Sequence, residues 1–104
     1  AMKEGPREYE LGEPIVINGH KHNRIIIDQH YKLKHPEMND LLIIEIIKSM
    51  RWRNYIEQDR KSPFSYFAYE LLFKDGKSYR VIFLLCDDQD YIGIINAFRV
   101  RKLK

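Results

Sequence analysis

The sequence has a single cysteine, Cys86, which lies inside an apolar run. One cysteine cannot form an internal disulfide, and no second thiol is present to complete a cysteine-based metal site. The lack of disulfides fits a reducing compartment, so we expect a cytoplasmic protein. No apolar stretch reaches the ~20 residues that a membrane-spanning helix needs, so we expect no membrane association.

Several motifs that define common enzyme classes are also absent. The chain contains no glycine-rich phosphate loop, no serine nucleophile elbow and no zinc-ligand spacing, which excludes dinucleotide, ATP-hydrolysis and zinc-enzyme functions. The acidic turn with Asp87, Asp88 and Asp90 lacks the glycine and the distal glutamate of a calcium loop, so we interpret it as a solvated turn. We therefore expect no cofactor and no bound metal.

The composition fits one soluble domain over residues 1–104, because 44% of the residues are hydrophobic and 32% are charged. Residues 1–12 are charged and interrupted by glycine and proline, which predicts a flexible lead-in. The net charge of +3 permits nucleic-acid binding without requiring it. A domain of this size buries only about two-thirds of the surface that its unfolded chain exposes, so a partner or a second copy is an expected source of extra stability.

The N-terminal half predicts a hairpin and then a helical region. β-Branched residues on both sides of Asn18-Gly19 predict a hairpin over residues 13–27. Residues 28–36 fit either a strand or a short helix capped by Asp28, and the lack of β-branched residues favours the helix. Residues 37–55 form the longest helical pattern, whose apolar stripe consists of Ile43, Ile46, Ile47 and Met50.

The C-terminal half predicts three strands after a loop at residues 56–63. Short turns separate the strands, which should be antiparallel neighbours and which span residues 64–73, 78–85 and 91–100. We therefore expect an α+β domain: an N-terminal β-hairpin, a helical region and a three-stranded antiparallel meander with the helix packed on one face.

Two histidines and two lysines fall within six residues and form the densest group of candidate functional side chains. His30 and His35 can exchange protons near neutral pH, and Lys32 and Lys34 between them can hold a phosphate. A polar cluster flanking the helix is the structural alternative.

Further positive charge lies in the last strands. Arg80 sits inside the strand Tyr79–Phe83, where an arginine is costly unless it pairs with a neighbour such as Glu70 or binds a phosphate. Arg99 closes the last strand with Asn96 three residues before it. The basic end of the chain, which can follow a phosphate backbone, continues through Arg101, Lys102 and Lys104.

The C-terminal half resembles toxins of the RelE/HigB type. The resemblance lies in a Tyr-Arg-aliphatic strand after a glycine turn, Gly76 to Phe83, and in a last strand that ends in Phe98 and basic residues. The His/Lys segment before the helix is similar to a region of other members of the broader barnase–EndoU–colicin–RelE group. The predicted hairpin is a departure, because RelE toxins begin with helices.

The resemblance implies N-terminal helices against a four-stranded antiparallel sheet and metal-independent RNA cleavage, in which a 2′-hydroxyl attacks the adjacent phosphate. His30 or His35 would then transfer protons, and Lys34, Arg80 and Arg99 would hold the phosphate. Tyr79 and Tyr91 would orient the substrate. The implied partners are RNA and an antitoxin or immunity protein.

Two other functions are compatible with the same residues. A non-catalytic module can bind protein or a nucleic-acid strand through Trp52, Tyr55, Arg51 and Arg53. A structural subunit can pair an exposed sheet edge with a second copy of itself.

Overall fold

A β-hairpin opens the fold in the structure, a computed structural model that describes residues 5–101. Strand β1 (Arg7–Ile17) pairs antiparallel with β2 (His20–Ile27). The turn residues Asn18 and Gly19 both have positive φ, 53° and 77°. Such a turn favours Asn-Gly, because its twist matches that of the strands. The predicted hairpin is therefore confirmed.

The first strand starts earlier than the sequence indicates. It begins at Arg7, inside the segment 1–12 that was predicted to be a lead-in, and it is irregular between Glu10 and Ile15. Residues 1–4 lie outside the described part of the chain.

Two helical segments follow the hairpin. The first is a 3₁₀ helix (Gln29–Leu33), in which the Asp28 carboxylate accepts a hydrogen bond from the His30 N–H at 2.8 Å. This confirms the helical interpretation of residues 28–36. The second is α1 (Asp40–Ser49), where the Asn39 side chain accepts from the Leu42 N–H at 2.8 Å.

Helix α1 is shorter than the predicted helix over residues 37–55. Trp52 has a φ of +67°, which no right-handed helix accommodates. Its N–H donates to the Val16 carbonyl at 2.7 Å, and the Arg53 carbonyl accepts from the Asn18 N–H at 3.1 Å. Because Val16 and Asn18 belong to the hairpin, these hydrogen bonds direct the chain towards the hairpin and end the helix.

The remaining strands form the meander that the sequence predicts, with one addition. Strands β4 (Phe64–Leu72), β5 (Ser78–Cys86) and β6 (Tyr91–Val100) are antiparallel neighbours, which confirms the three strands. A short strand β3 (Asp59–Lys61) lies in the segment expected to be a loop and pairs with β4.

The predicted fold class is wrong. Strands account for 53% of the structure and helices for 15%, and all six strands form one sheet that curls into a half-barrel. The strand order is β1-β2-β6-β5-β4-β3. The hairpin is not separate from the meander, because β2 pairs parallel with β6 from Arg24–Tyr91 to Ile27–Ile94. The long connection between β2 and β6 permits this parallel pairing.

The concave side of the sheet holds the hydrophobic core. The apolar stripe of α1 is fully buried against it, which confirms the predicted core face of the helix: Ile43, Ile46, Ile47 and Met50. The sheet contributes Ile25, Ile27, Val81, Phe83, Ile92 and Ile94. Among residues 5–101, neither helical segment has the length and apolar character needed to cross a membrane.

Close packing at Gly93 gives a stability prediction. A Cβ added to Gly93 would lie 2.8 Å from Leu84 Cδ1 and 2.9 Å from Leu84 Cγ. Since Leu84 must move, we expect Gly93→Ala to lower the free energy of unfolding by about 1–3 kcal/mol. Urea unfolding measures this cost in the wild-type background and in Leu84→Ala, where it should largely disappear.

Gly5→Ala is the matched control, because no atom lies within 4 Å of a Cβ at Gly5. An equal cost of Gly93→Ala in both backgrounds would contradict the proposed clash.

Candidate functional site

The segment after the 3₁₀ helix brings His35 to the open half of β6. Strand β2 pairs with β6 only as far as Ile94, so the rest of β6 has no strand neighbour on that side within the described chain. The His35 N–H donates to the Tyr31 carbonyl at 2.8 Å. The His35 imidazole stacks on the Phe98 ring with centroids 4.9 Å apart and an interplanar angle of 22°.

Glu37 ties this segment to the end of β6. Its Oε2 accepts a hydrogen bond from the Arg99 N–H at 3.2 Å and lies 3.9 Å from His35 Nδ1. The His35 side chain keeps 25% of its surface exposed. The imidazole is thus held in place from two sides and still reaches solvent.

Arg80 lies on the sheet face that carries the histidine stack. It pairs in register with Glu70 on β4 and with Phe98 on β6. Directly opposite residues of antiparallel strands share a face, so Glu70, Arg80 and Phe98 form a row that His35 extends. We call these four residues the outer row. They lie on the convex face, because the alternate residues Tyr79 and Val81 are buried in the core.

The outer row contains an ion pair that remains accessible. Arg80 Nη1 lies 3.5 Å from Glu70 Oε1, and the two side chains are 40% and 48% exposed. This is the pairing that the sequence offered as the structural alternative for Arg80. It occupies one edge of the guanidinium, whose other N–H groups can still donate.

Asn96 belongs to the same face. It precedes Phe98 by two residues on β6 and pairs in register with Ile82, two residues after Arg80 on β5. Its Oδ1 accepts from the Ala97 N–H at 3.0 Å, which leaves the amide N–H groups as donors. The structure therefore brings three predicted site residues together: His35, Arg80 and Asn96.

The other residues of the His/Lys segment lie apart from this row. His30 is exposed, and its backbone N–H donates to the Asp28 carboxylate that caps the 3₁₀ helix. Lys32 acts electrostatically on Asp40, on the core side of the sheet. Lys34 is exposed at the end of the 3₁₀ helix.

The basic end of the chain is divided between surfaces. Arg99 pairs with Tyr79 and so belongs to the face opposite Arg80, and Arg101 is exposed beyond β6. Lys102 and Lys104 lie outside the described residues. A continuous basic track through these side chains and the outer row is therefore not formed by residues 5–101.

The two tyrosines that the resemblance implied have structural contacts. Tyr79 is buried, and its hydroxyl donates to Asp75 Oδ2 at 2.6 Å. Burial and this carboxylate raise the pKa of Tyr79 to about 12. The Arg24 guanidinium lies over the ring of half-buried Tyr91, 5.7 Å from its centroid.

The acidic turn between β5 and β6 is engaged by arginines. Arg60 bonds to Asp87, and Arg24 Nε donates to Asp90 Oδ1 at 2.9 Å. Within residues 5–101, histidine, cysteine and carboxylate side chains nowhere assemble in threes as a metal site would need. The turn thus ties the strands together through ion pairs.

A polar cluster at the start of α1 was missed from the sequence. The Asp40 carboxylate accepts hydrogen bonds from the hydroxyls of Tyr9 and Tyr31, each at 2.5 Å, and from Gln29 Nε2 at 3.1 Å. Tyr9 belongs to β1, so the cluster joins three elements. The sequence signal was weak, because Tyr9 lay in the predicted lead-in.

Electrostatics show that this cluster is structural. Burial works to raise the pKa of Asp40, but the hydrogen bonds from Tyr31, Tyr9 and Gln29 outweigh burial and leave that pKa below its ordinary value. Burial and the same carboxylate raise the pKa of Tyr31. The carboxylate stays charged and its acceptors are occupied, so it is poorly suited to proton transfer.

His22 is also buried, although its turn position suggests exposure. Its Nδ1 lies 3.2 Å from the Ile15 carbonyl, and its neighbour His20 is exposed. Burial lowers the pKa of His22 and outweighs the opposing effect of the Ile15 carbonyl. His22 therefore remains neutral to lower pH in the folded protein than in the unfolded chain.

This difference predicts a pH dependence of stability. Below the ordinary histidine pKa of 6.5 the unfolded chain binds a proton that the folded protein resists, so stability falls as the pH falls. Urea midpoints measured between pH 7.5 and 5.5 should show this loss. His22→Gln should flatten the pH dependence. The control is His30→Gln, because His30 is exposed and is not among the groups that act on His22. Identical slopes for wild type and His22→Gln would disprove this assignment.

Comparisons with known proteins give no family for this chain. No protein-family model matches it, and neither a curated protein nor a solved structure matches it. The features that bear on function are thus those of the chain itself, above all the outer row with its histidine, arginine and glutamate.

Proposed function

We propose that the protein is a metal-independent endoribonuclease of toxin type, with the outer row as its active site. The observation that supports this is the stacking of His35 on Phe98, the residue directly opposite Arg80. An imidazole and a guanidinium from segments 45 residues apart in sequence are thus held on one accessible sheet face.

His35 is the proton-transfer residue in this proposal. Imidazole exchanges protons near neutral pH, as general acid–base catalysis requires. The Glu37 carboxylate lies 3.9 Å from Nδ1, so Nε2 is the nitrogen left for the substrate. Stacking on Phe98 fixes the plane of the ring, which reduces the entropy lost when RNA binds.

Arg80 holds the phosphate that is attacked. A guanidinium matches the geometry of phosphate oxygens, and it stabilises the charge that develops when the 2′-hydroxyl adds. Glu70 keeps the guanidinium in place through one edge and leaves the other N–H groups for RNA. Asn96 supplies further donors on the same face.

Cleavage of this kind needs two proton transfers, one from the 2′-hydroxyl and one to the leaving 5′-oxygen. Glu70 is engaged by Arg80 at the far end of the outer row. His35 therefore serves one of the two transfers, and water at this accessible face serves the other. A cytoplasmic site of action and an inhibitory protein, acidic where it covers this face, belong to the same proposal.

Variants of His35 and Arg80 test the proposal. In EDTA between pH 5 and 8, purified protein should cleave tRNA, mRNA or ribosome-bound mRNA and leave 2′,3′-cyclic phosphate ends. His35→Phe retains an aromatic ring for stacking on Phe98 but transfers no proton, so cleavage should fall by about 10²–10⁴-fold. Arg80→Gln should lower it by about 10²-fold. Gel analysis of end-labelled RNA measures both.

His20→Ala is the control, because His20 is exposed and lies on the hairpin, away from the outer row. His30→Ala distinguishes the two histidines of the His/Lys segment and should retain most of the activity. RNA that stays intact with wild-type protein under all these conditions would overturn the enzymatic proposal. Binding to intact RNA that is lost in Arg80→Gln would instead indicate a non-catalytic RNA-binding face.

A further inference from the structure

A cleft separates the end of α1 from the second half of β4. Its volume is about 710 Å³. One wall is a continuous run of strand and turn residues, 69–74, and the other wall comes from the helix end and the turn after it, residues 48–55 except Trp52. A cleft with a strand in its wall can offer backbone N–H and C=O groups to a ligand, which a pocket lined by side chains alone does not.

The strand that lines the cleft has an open edge. Strand β3 pairs with β4 only as far as Tyr66, and Gln58 then covers the carbonyls of Tyr66 and Ala68 with its backbone and side-chain N–H groups, at 2.8 and 3.2 Å. The even-numbered residues of β4 therefore direct their backbone groups outward. Glu70 and Leu72 come next in this series, and no described residue pairs with their outward groups.

Positive charge dominates the opposite wall. Of the residues that the structure describes, four cations line the cleft, and the only carboxylates among them are Glu45 and Glu70. Glu45 pairs with Lys48 and Lys74, and Glu70 pairs with Arg80. The remaining two cations, Arg51 and Arg53, form no ion pair with described residues, so the cleft presents unbalanced positive charge.

Two large apolar side chains are exposed on the segments that form the two walls. Trp52 and Leu72 are each 74% exposed. Trp52 lies between the two free arginines in sequence and adopts a φ of +67°, which is costly for a bulky residue. Its hydrogen bond to Val16 holds this conformation. An exposed tryptophan in a strained conformation is typical of a recognition surface rather than of a core.

We propose that this cleft binds an extended acidic peptide from another protein, which adds as a strand to β4 at Glu70–Leu72. Unpaired strand backbone selects a peptide, because it offers N–H and C=O groups that only another strand complements. Arg51 and Arg53 select acidic side chains on that peptide. A second copy of this basic chain would be repelled by the same charge, and a nucleic-acid strand cannot complete the backbone hydrogen bonds.

A labelled decapeptide of alternating valine and aspartate is the probe. Fluorescence anisotropy should show saturable binding with a dissociation constant below about 1 mM. Arg51→Glu with Arg53→Glu should weaken it by about tenfold or more. Lys21→Glu with Lys61→Glu is the matched control, because both lysines are exposed and lie outside the cleft. It changes the net charge equally and should have little effect.

The peptide backbone provides the second test, which requires no change to the protein. N-methylation of alternate residues removes the edge-facing N–H groups and should abolish binding. The proposal is overturned if the methylated peptide or a valine–lysine peptide binds equally well, or if the valine–aspartate peptide does not bind. It is also overturned if a single-stranded oligonucleotide displaces the peptide and depends on the same arginines, or if light scattering shows dimers joined through this edge.

This proposal is independent of RNA cleavage. Arg51 and Arg53 lie outside the outer row, so their charge-reversed variant should cleave RNA like the wild type. Failure of peptide binding and failure of RNA cleavage are thus separate results.

Discussion

The parallel pairing of β2 with the first half of β6 is the constraint on which the rest of the structure depends. Because β2 ends opposite Ile94, the chain that leaves it continues along the unpaired half of β6. The Asp28 N–H donates to the Ile94 carbonyl, and Glu37 reaches the Arg99 N–H at the far end. His35 lies between these two ties, so its position over Phe98 follows from the strand pairing.

Buried isoleucines stabilise this pairing. Ile25 and Ile27 on β2 face the core beside Ile92 and Ile94 on β6, and all four are at most 2% exposed. Full burial of such a side chain contributes roughly 1.5–3 kcal/mol. The outward-facing residue between them on β6 is Gly93, where Leu84 occupies the space that a side chain would fill. Packing on both faces of β6 thus fixes the register in which the hairpin and the meander join.

Local features of the fold could be predicted from the sequence, whereas the pairing between segments distant in sequence could not. The Asn18-Gly19 turn, the apolar stripe of α1 and the three-strand meander depend on neighbours in sequence. The parallel pairing does not, because alternation shows which face a residue takes and not which strand lies beside it. The same limit applies to the end of α1, because backbone hydrogen bonds with the hairpin determine where the helix ends. For the candidate site, alternation indicated Glu70 as the partner of Arg80, but nothing local distinguished His35 from His30.

The two proposed surfaces meet at Glu70. Its side chain pairs with Arg80 on the convex face, while its backbone lies at the open edge of β4 that lines the cleft. A strand added at that edge would restrict the backbone that positions the Arg80–Glu70 pair. Any effect of an edge-bound peptide on RNA affinity must then equal the effect of RNA on peptide affinity, because coupling between two binding sites is reciprocal. Because Glu70 belongs to both the convex face and the open edge of β4, a partner protein bound at the edge can act on the proposed RNA site without covering it.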